Sequence, residues 1–213
     1  MLKDNYQAKE QASVLIAIQA RSNSSRFPQK IYELIDKKMI LQHVVDRCKE
    51  AQKYVERSTH KISIKCQVAI LHPENDNQLI SNFRGSGVSL VGADEQDVLS
   101  RYVKACNIFN PDYIVRITSD CPLIPSGIIS KHINTAIYNK HDYVNNVDER
   151  CRSIADGFDC EILSMKAMKW LEQNATSKDE KEHVTIALRK NTPPKELKCG
   201  FIKPQLDTFD IKL

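Results

Sequence analysis

The sequence predicts an α/β fold of three layers around a mostly parallel sheet, and three observations carry that prediction. Short β-rich apolar runs alternate along the chain with stretches of helical apolar spacing. The first run, Val14-Leu15-Ile16-Ala17-Ile18, has no polar alternation, as expected of a strand covered on both faces. The length, 213 residues without repeats or a low-complexity linker, suits one domain of this class.

Each element has its own signal. Residues 14–18 read as the first strand. Apolar positions 40, 41, 44, 45 and 48 recur at helical spacing. Residues 66–71 form a second apolar run, followed by a helix over about 77–83 that Gly85 and Gly87 stop. Residues 88–91 read as a third strand. Asp94 is the expected cap of a helix running through Val98, Leu99, Tyr102, Val103 and Cys106. Residues 113–117 form a central strand, and Pro125-Ser126-Gly127 opens a helix through Ile128, Ile129, Ile133 and Ile137. Strands near 142–145 and 159–163 and helical patterns over 166–173 and 179–189 complete the chain, with polar connections at 60–65 and 191–198. The region 148–189 is expected to depart from simple alternation.

Composition narrows the function classes. A formal net charge of +4 without a dense Lys/Arg stripe and interleaved aromatics argues against a nucleic-acid partner and fits a small anionic ligand. No apolar segment approaches the roughly 18 residues of a membrane span. The first ten residues lack the apolar core of a signal peptide, so the expected location is cytoplasmic. The seven cysteines are odd in number and form no Cys-x-x-Cys pair, which predicts reduced thiols rather than zinc or disulfides. Cys121, beside a carboxylate, is read as packing.

Four segments carry chemistry. The loop Ala20-Arg21-Ser22-Asn23-Ser24-Ser25-Arg26-Phe27-Pro28-Gln29-Lys30 follows the first strand with three cations and three serines. Arg and Lys neutralise phosphate, and a polar loop at the carboxyl end of a strand is where α/β folds place ligands. Arg116-Ile117-Thr118-Ser119-Asp120-Cys121-Pro122 puts Asp120 at the same edge. A carboxylate beside a phosphate loop suits a bridging Mg²⁺; the competing role is a cap on the following turn. Asp156-Gly157-Phe158-Asp159-Cys160-Glu161 leads into a strand on which Asp159 and Glu161 share a face. Glu182-His183-Val184-Thr185 lies in a helical pattern that also puts Arg189 on the face of Glu182.

Taken in order, and with Glu95-Gln96-Asp97-Val98-Leu99-Ser100-Arg101-Tyr102, these motifs resemble the cytidylyltransferases that activate acidic sugars such as acylneuraminate and 3-deoxy-manno-octulosonate. Within that family they look like the spore coat polysaccharide biosynthesis type. The resemblance implies a nucleotide-diphospho-sugar transferase (Rossmann-like) fold. It also implies transfer of CMP from CTP to an acidic or hydroxylated sugar-like acceptor, with release of pyrophosphate and Mg²⁺ (or Mn²⁺) as cofactor, in surface polysaccharide or glycoconjugate biosynthesis. By motif match, Arg21, Ser24, Ser25, Arg26 and Lys30 bind the nucleotide; Arg21, Lys30 and Asp120 carry the catalysis; and Asp120 holds the metal. Asp156, Asp159, Glu161, Glu182 and His183 face the acceptor. The family carries glycine where Asn23 and Gln29 stand, and a Thr turn where Leu71-His72-Pro73-Glu74 stands. Residues 1–12 are expected to be a polar N-terminal extension and 13–213 a single nucleotidyltransferase domain without the family's C-terminal segment and its second metal-binding aspartate. Homodimers are common among such relatives. The alternative is a catalytically impaired nucleotide-binding partner or regulatory protein.

Overall fold

A computed structural model of the chain describes residues 11–23, 27–58, 61–148, 157–189 and 194–202. The strands are β1 (Gln11–Gln19), β2 (Leu34–Ile35), β3 (Lys38–Met39), β4 (Ser63–Pro73), β5 (Ser89–Ala93), β6 (Tyr113–Thr118), β7 (Tyr143–Asn145), β8 (Glu161–Ser164) and β9 (Cys199–Phe201). The helices are α1 (Ile40–Glu56), α2 (Asn77–Phe83), α3 (Val98–Phe109), α4 (Ser126–Tyr138), α5 (Met165–Asn174), α6 (Lys178–His183) and α7 (Ile186–Arg189).

Seven strands form one sheet in the order β5-β4-β1-β6-β8-β7-β9, and β2 pairs with β3 in a separate hairpin. The pairs β1–β4, β1–β6, β4–β5 and β7–β9 are parallel, whereas β8 runs antiparallel to both its neighbours. The departure expected after residue 148 is therefore this reversed strand.

β1 explains the layering. Val14, Ile16 and Ile18 join the core that α1, α2 and α4 cover, while Leu15 and Ala17 join the core of α3, α5 and α7. All five are buried, so one strand holds two helical layers together. Gly85 and Gly87, after α2, take φ of +79° and +75°, backbone that glycine adopts without a Cβ clash. Asp97, not Asp94, caps α3 by accepting from Ser100 N at 2.9 Å. Asp94 instead accepts from the backbone of Gln96 and Asp97, closing the turn before the helix. Among the described residues no helix is long and apolar enough to cross a membrane, and the six described cysteines are free thiols.

His132 is buried within α4 and shares a 2.8 Å hydrogen bond between Nδ1 and the Ile128 carbonyl. Burial pushes its imidazole down to about 4, from an ordinary value of 6.5. The unfolded chain therefore takes up a proton from pH 6.5 downward while the folded one resists it. Stability is full above 6.5 and falls as the pH drops toward 4. Urea unfolding should show a loss of roughly 2 kcal/mol between pH 7 and pH 5, from about 1.4 kcal/mol per pH unit. His132→Leu should remove most of that slope.

Candidate functional site

β1 and β6 lie side by side and end level, with Gln19 opposite Thr118. Their carboxyl ends open into a cleft of about 260 Å³. Arg21, Lys30, Arg101, Asp120, Glu182 and His183 are among its lining residues. The structure thus brings five of the predicted site residues to one place from three parts of the chain.

The described ends of the Arg21–Lys30 loop are held by contacts to β4, to Asp76 and to each other. Ala20 N donates to the Leu71 carbonyl at 2.9 Å, keeping the chain beside β4. Ser22 donates to Asp76 from N (2.8 Å) and Oγ (2.5 Å), and Asp76 also caps α2 by accepting from Leu79 N at 3.1 Å. Gln29 N then returns to the Ser22 carbonyl at 2.9 Å and closes the loop. Gln29 sits at φ 58°, ψ 14°, left-handed backbone, at a position where the resembling family carries glycine. Gln29→Gly should therefore stabilise the protein by up to about 1 kcal/mol, the relieved strain exceeding the extra freedom of the unfolded chain. A thermal melt should show a rise of a few degrees.

The short 3-10 turn Lys30–Tyr32 follows and aims Lys30 Nζ at Asp120 Oδ2, 2.7 Å away. Burial raises the Asp120 carboxyl, but the Lys30 ammonium and a hydrogen bond from Thr118 outweigh it and hold it below the usual carboxylate value. Asp120 is ionised at neutral pH. Its side chain remains 44% exposed, so an oxygen is within reach of ligand. Beside it Cys121 is buried, its Sγ 3.0 Å from Thr118 Oγ1, and burial raises the thiol; it packs, as expected.

On the other wall, Arg21 and Glu182 approach to 3.8 Å. Glu182 and His183 end α6, which starts with a capping box between Ser177 and Glu180. The single helix expected over 179–189 is broken after His183. Val184 takes φ 55°, ψ −63°, and Thr185 N donates to the His183 carbonyl at 2.6 Å, a strained γ-turn. That turn separates Glu182 from Arg189, so the two do not share a helical face. Glu182 lines the cleft, whereas Arg189 Nε lies 3.8 Å from Glu161 Oε1.

Glu161 corrects a second expectation. It is fully buried and not directed at an acceptor. Arg116 Nη1 donates to Glu161 Oε2 at 2.6 Å, and the Tyr143 hydroxyl donates to Oε1 at 2.5 Å. The reason is the register: Glu161 stands opposite Arg116 on β6 and Asn145 on β7, interior to the sheet. Asp159 precedes β8 on a loop, half-buried, and does not share a strand face with Glu161. Ser24, Ser25, Arg26 and Asp156 lie outside the described residues.

Two lining residues, Arg101 and Arg116, were not singled out from the sequence. A signal existed for both. Arg101 falls at an apolar-face position of α3 and Arg116 within an otherwise apolar strand, and a charge in such a place needs a partner.

A hard divalent cation takes oxygen ligands. Asp120 and Glu182 bring two carboxylates to this cleft, and among the described residues no group of three His, Cys, Asp or Glu gathers into a cage. This donor set fits Mg²⁺ held by one or two carboxylates together with phosphate oxygens of a ligand.

The sequence profile described as cytidylyltransferase matches residues 15–209. An uncharacterized protein of Methanocaldococcus jannaschii is 30% identical over 206 residues, covering 92% of this chain and 79% of that protein. The spore coat polysaccharide biosynthesis protein SpsF of Bacillus subtilis is 23% identical over 177 residues, covering 83% and 70%. Among solved structures, a cytidylyltransferase from Leptospira borgpetersenii superposes with a TM-score of 0.77 at 29% identity, covering 90% of this chain and 76% of that one.

Proposed function

The chain belongs to the cytidylyltransferase family and is a CTP-using nucleotidyltransferase, and on that premise we propose that the cleft between the Arg21–Lys30 loop and Asp120 binds CTP and passes CMP to an acidic or hydroxylated sugar. The acceptor hydroxyl attacks the α-phosphorus and gives its proton to solvent, an oxygen–phosphorus bond forms, and the α–β anhydride bond breaks to release pyrophosphate. The observation that carries this reading is the convergence of Arg21, Lys30 and Asp120 at the carboxyl ends of β1 and β6, with Glu182 and His183 on the facing wall.

Arg21 and Lys30 neutralise the triphosphate and orient it in line for attack, which is most of what phosphoryl transfer asks of a protein. Lys30 is held by Asp120 at 2.7 Å, so its ammonium is already positioned before ligand arrives. Asp120 would hold Mg²⁺ or Mn²⁺; the ion supplies charge neutralisation on the transferring group. Glu182 and His183 stand at the acceptor end. The likeness to the spore coat protein supports a place in polysaccharide biosynthesis.

Incubation with CTP, Mg²⁺ and a panel of sugar acids and polyols tests the reading. Pyrophosphate release that depends on both CTP and one acceptor is the expected result. CTP binding without turnover on any acceptor would favour a nucleotide-binding regulatory role instead.

A further inference from the structure

We propose that Arg101 and Arg116 form an anion-binding floor to this cleft, a second cationic subsite that takes a carboxylate or phosphate oxygen of the bound ligand. The inference rests on the CTP-site reading of the same cleft.

Arg101 is only 1% exposed yet lines the cleft. Its Nε donates to the Asp94 carbonyl at 2.7 Å and its Nη2 to the Glu95 carbonyl. Those two carbonyls, on the turn ahead of α3, orient the guanidinium without neutralising it. Among the described residues Arg101 makes no ion pair, although every other cation of the cleft has one: Arg21 with Glu182, Lys30 with Asp120, Arg116 with Glu161. The Asp94 and Glu95 carboxylates act on it only from beyond ion-pair distance and do not offset its burial. A buried charge so weakly compensated is costly, and an anionic ligand in the adjoining cleft lowers the cost.

Arg116 adds a second donor. Its Nη1 is committed to Glu161, and that carboxylate is clamped in turn by Tyr143 and Arg189. The Nε of Arg116 is buried with no acceptor. The side-chain oxygen of Gln19, which also lines the cleft, is likewise buried without a partner; as an acceptor it suits a hydroxyl of the ligand and not its anionic oxygen. Buried polar groups are ordinarily satisfied, so unsatisfied ones collected around one cavity point to what fills it. Glu161 is then a positioning residue: it fixes the guanidinium of Arg116 and touches no ligand itself.

The test uses Arg101→Gln, which keeps a donor for the turn and removes the charge. Inorganic tripolyphosphate, CTP with Mg²⁺, and free 3-deoxy-manno-octulosonate are each titrated calorimetrically into wild type and variant of matched circular dichroism. At least one probe should bind the variant tenfold or more weakly, and Arg101→Lys should recover part of the loss. Weakening with tripolyphosphate and CTP identifies a phosphate; weakening with the sugar acid alone identifies an acceptor carboxylate. If Arg101→Gln does not fold, Arg101→Lys decides, since it keeps the charge but loses the planar fork. A threefold weakening there upholds the inference, and unchanged affinity overturns it. A folded Arg101→Gln within twofold of wild type for all three probes overturns it, as does a wild type that binds none. A wild type that binds tripolyphosphate or the sugar acid through Arg101 but shows no preference for CTP contradicts the CTP reading and leaves the floor standing.

Discussion

Replacing Glu161 with alanine should unfold the protein about 10 °C earlier than wild type. The carboxylate is fully buried and serves three partners at once, Arg116, Arg189 and Tyr143. Removing it strands Arg116 in the interior, its side chain 11% exposed, and leaves the Tyr143 hydroxyl without its acceptor. Breaking a buried ion pair from one side costs about 3–5 kcal/mol. For a chain of this length each kcal/mol moves the midpoint by about 2–4 °C. The pair also sets a pH dependence. Burial raises the Glu161 carboxyl, while the Arg116 and Arg189 charges and the Tyr143 hydrogen bond outweigh it, so the folded value lies below the ordinary 4.5. A depressed carboxyl contributes its stability above the unfolded value and loses it as the pH falls through the folded one. Acid unfolding of wild type should include this loss, and Glu161→Gln should flatten it. A melting temperature within 2 °C of wild type for Glu161→Ala would contradict the buried hub.

The second large effect is on chemistry and not on folding. Asp120→Asn should reduce turnover on the order of 10²–10³-fold, the size seen when one preorganised electrostatic contact to a reacting centre is lost. The same change should barely move stability, because Lys30 and Asp120 form a part-exposed pair worth about 0–1 kcal/mol. It also frees Lys30, so CTP affinity measured without divalent ion should not fall. Steady-state kinetics across a magnesium titration, with a melt of the same sample, separates the two consequences. Unaltered magnesium dependence would count against Asp120 as the metal carboxylate.

What the sequence reveals here follows from where each signal originates. β1 is legible because burial on both faces makes its apolar run continuous, and α2 because the paired glycines mark its end. Asp94 and Asp97 are chemically equivalent as caps, and only the chain path chooses between them. The β2–β3 hairpin turns on Asp36 and Lys37, both at positive φ, and carries no glycine to announce it. The break between α6 and α7 falls at a buried valine followed by a buried threonine, a turn imposed by packing and by no local breaker. β9 begins just after a stretch read as a connection. The meeting of Arg21 and Lys30 with Asp120 in one cleft is legible because the segments that carry them follow neighbouring strands. Strand alternation paired Glu161 with Asp159, which lies ahead of the strand, and carried nothing on depth, yet depth decides that Glu161 anchors Arg116 instead of meeting an acceptor. The left-handed Gln29 shows the converse, a position whose backbone the family resemblance already marks as one that glycine would suit.

The Arg21–Lys30 loop facing Asp120 is proposed as the CTP site. Calorimetric titration of CTP with Mg²⁺ into wild type and Lys30→Ala tests it most directly. The expected result is a tenfold or greater loss of affinity in the variant at an unchanged melting temperature. Equal affinity of the two proteins for CTP would contradict it.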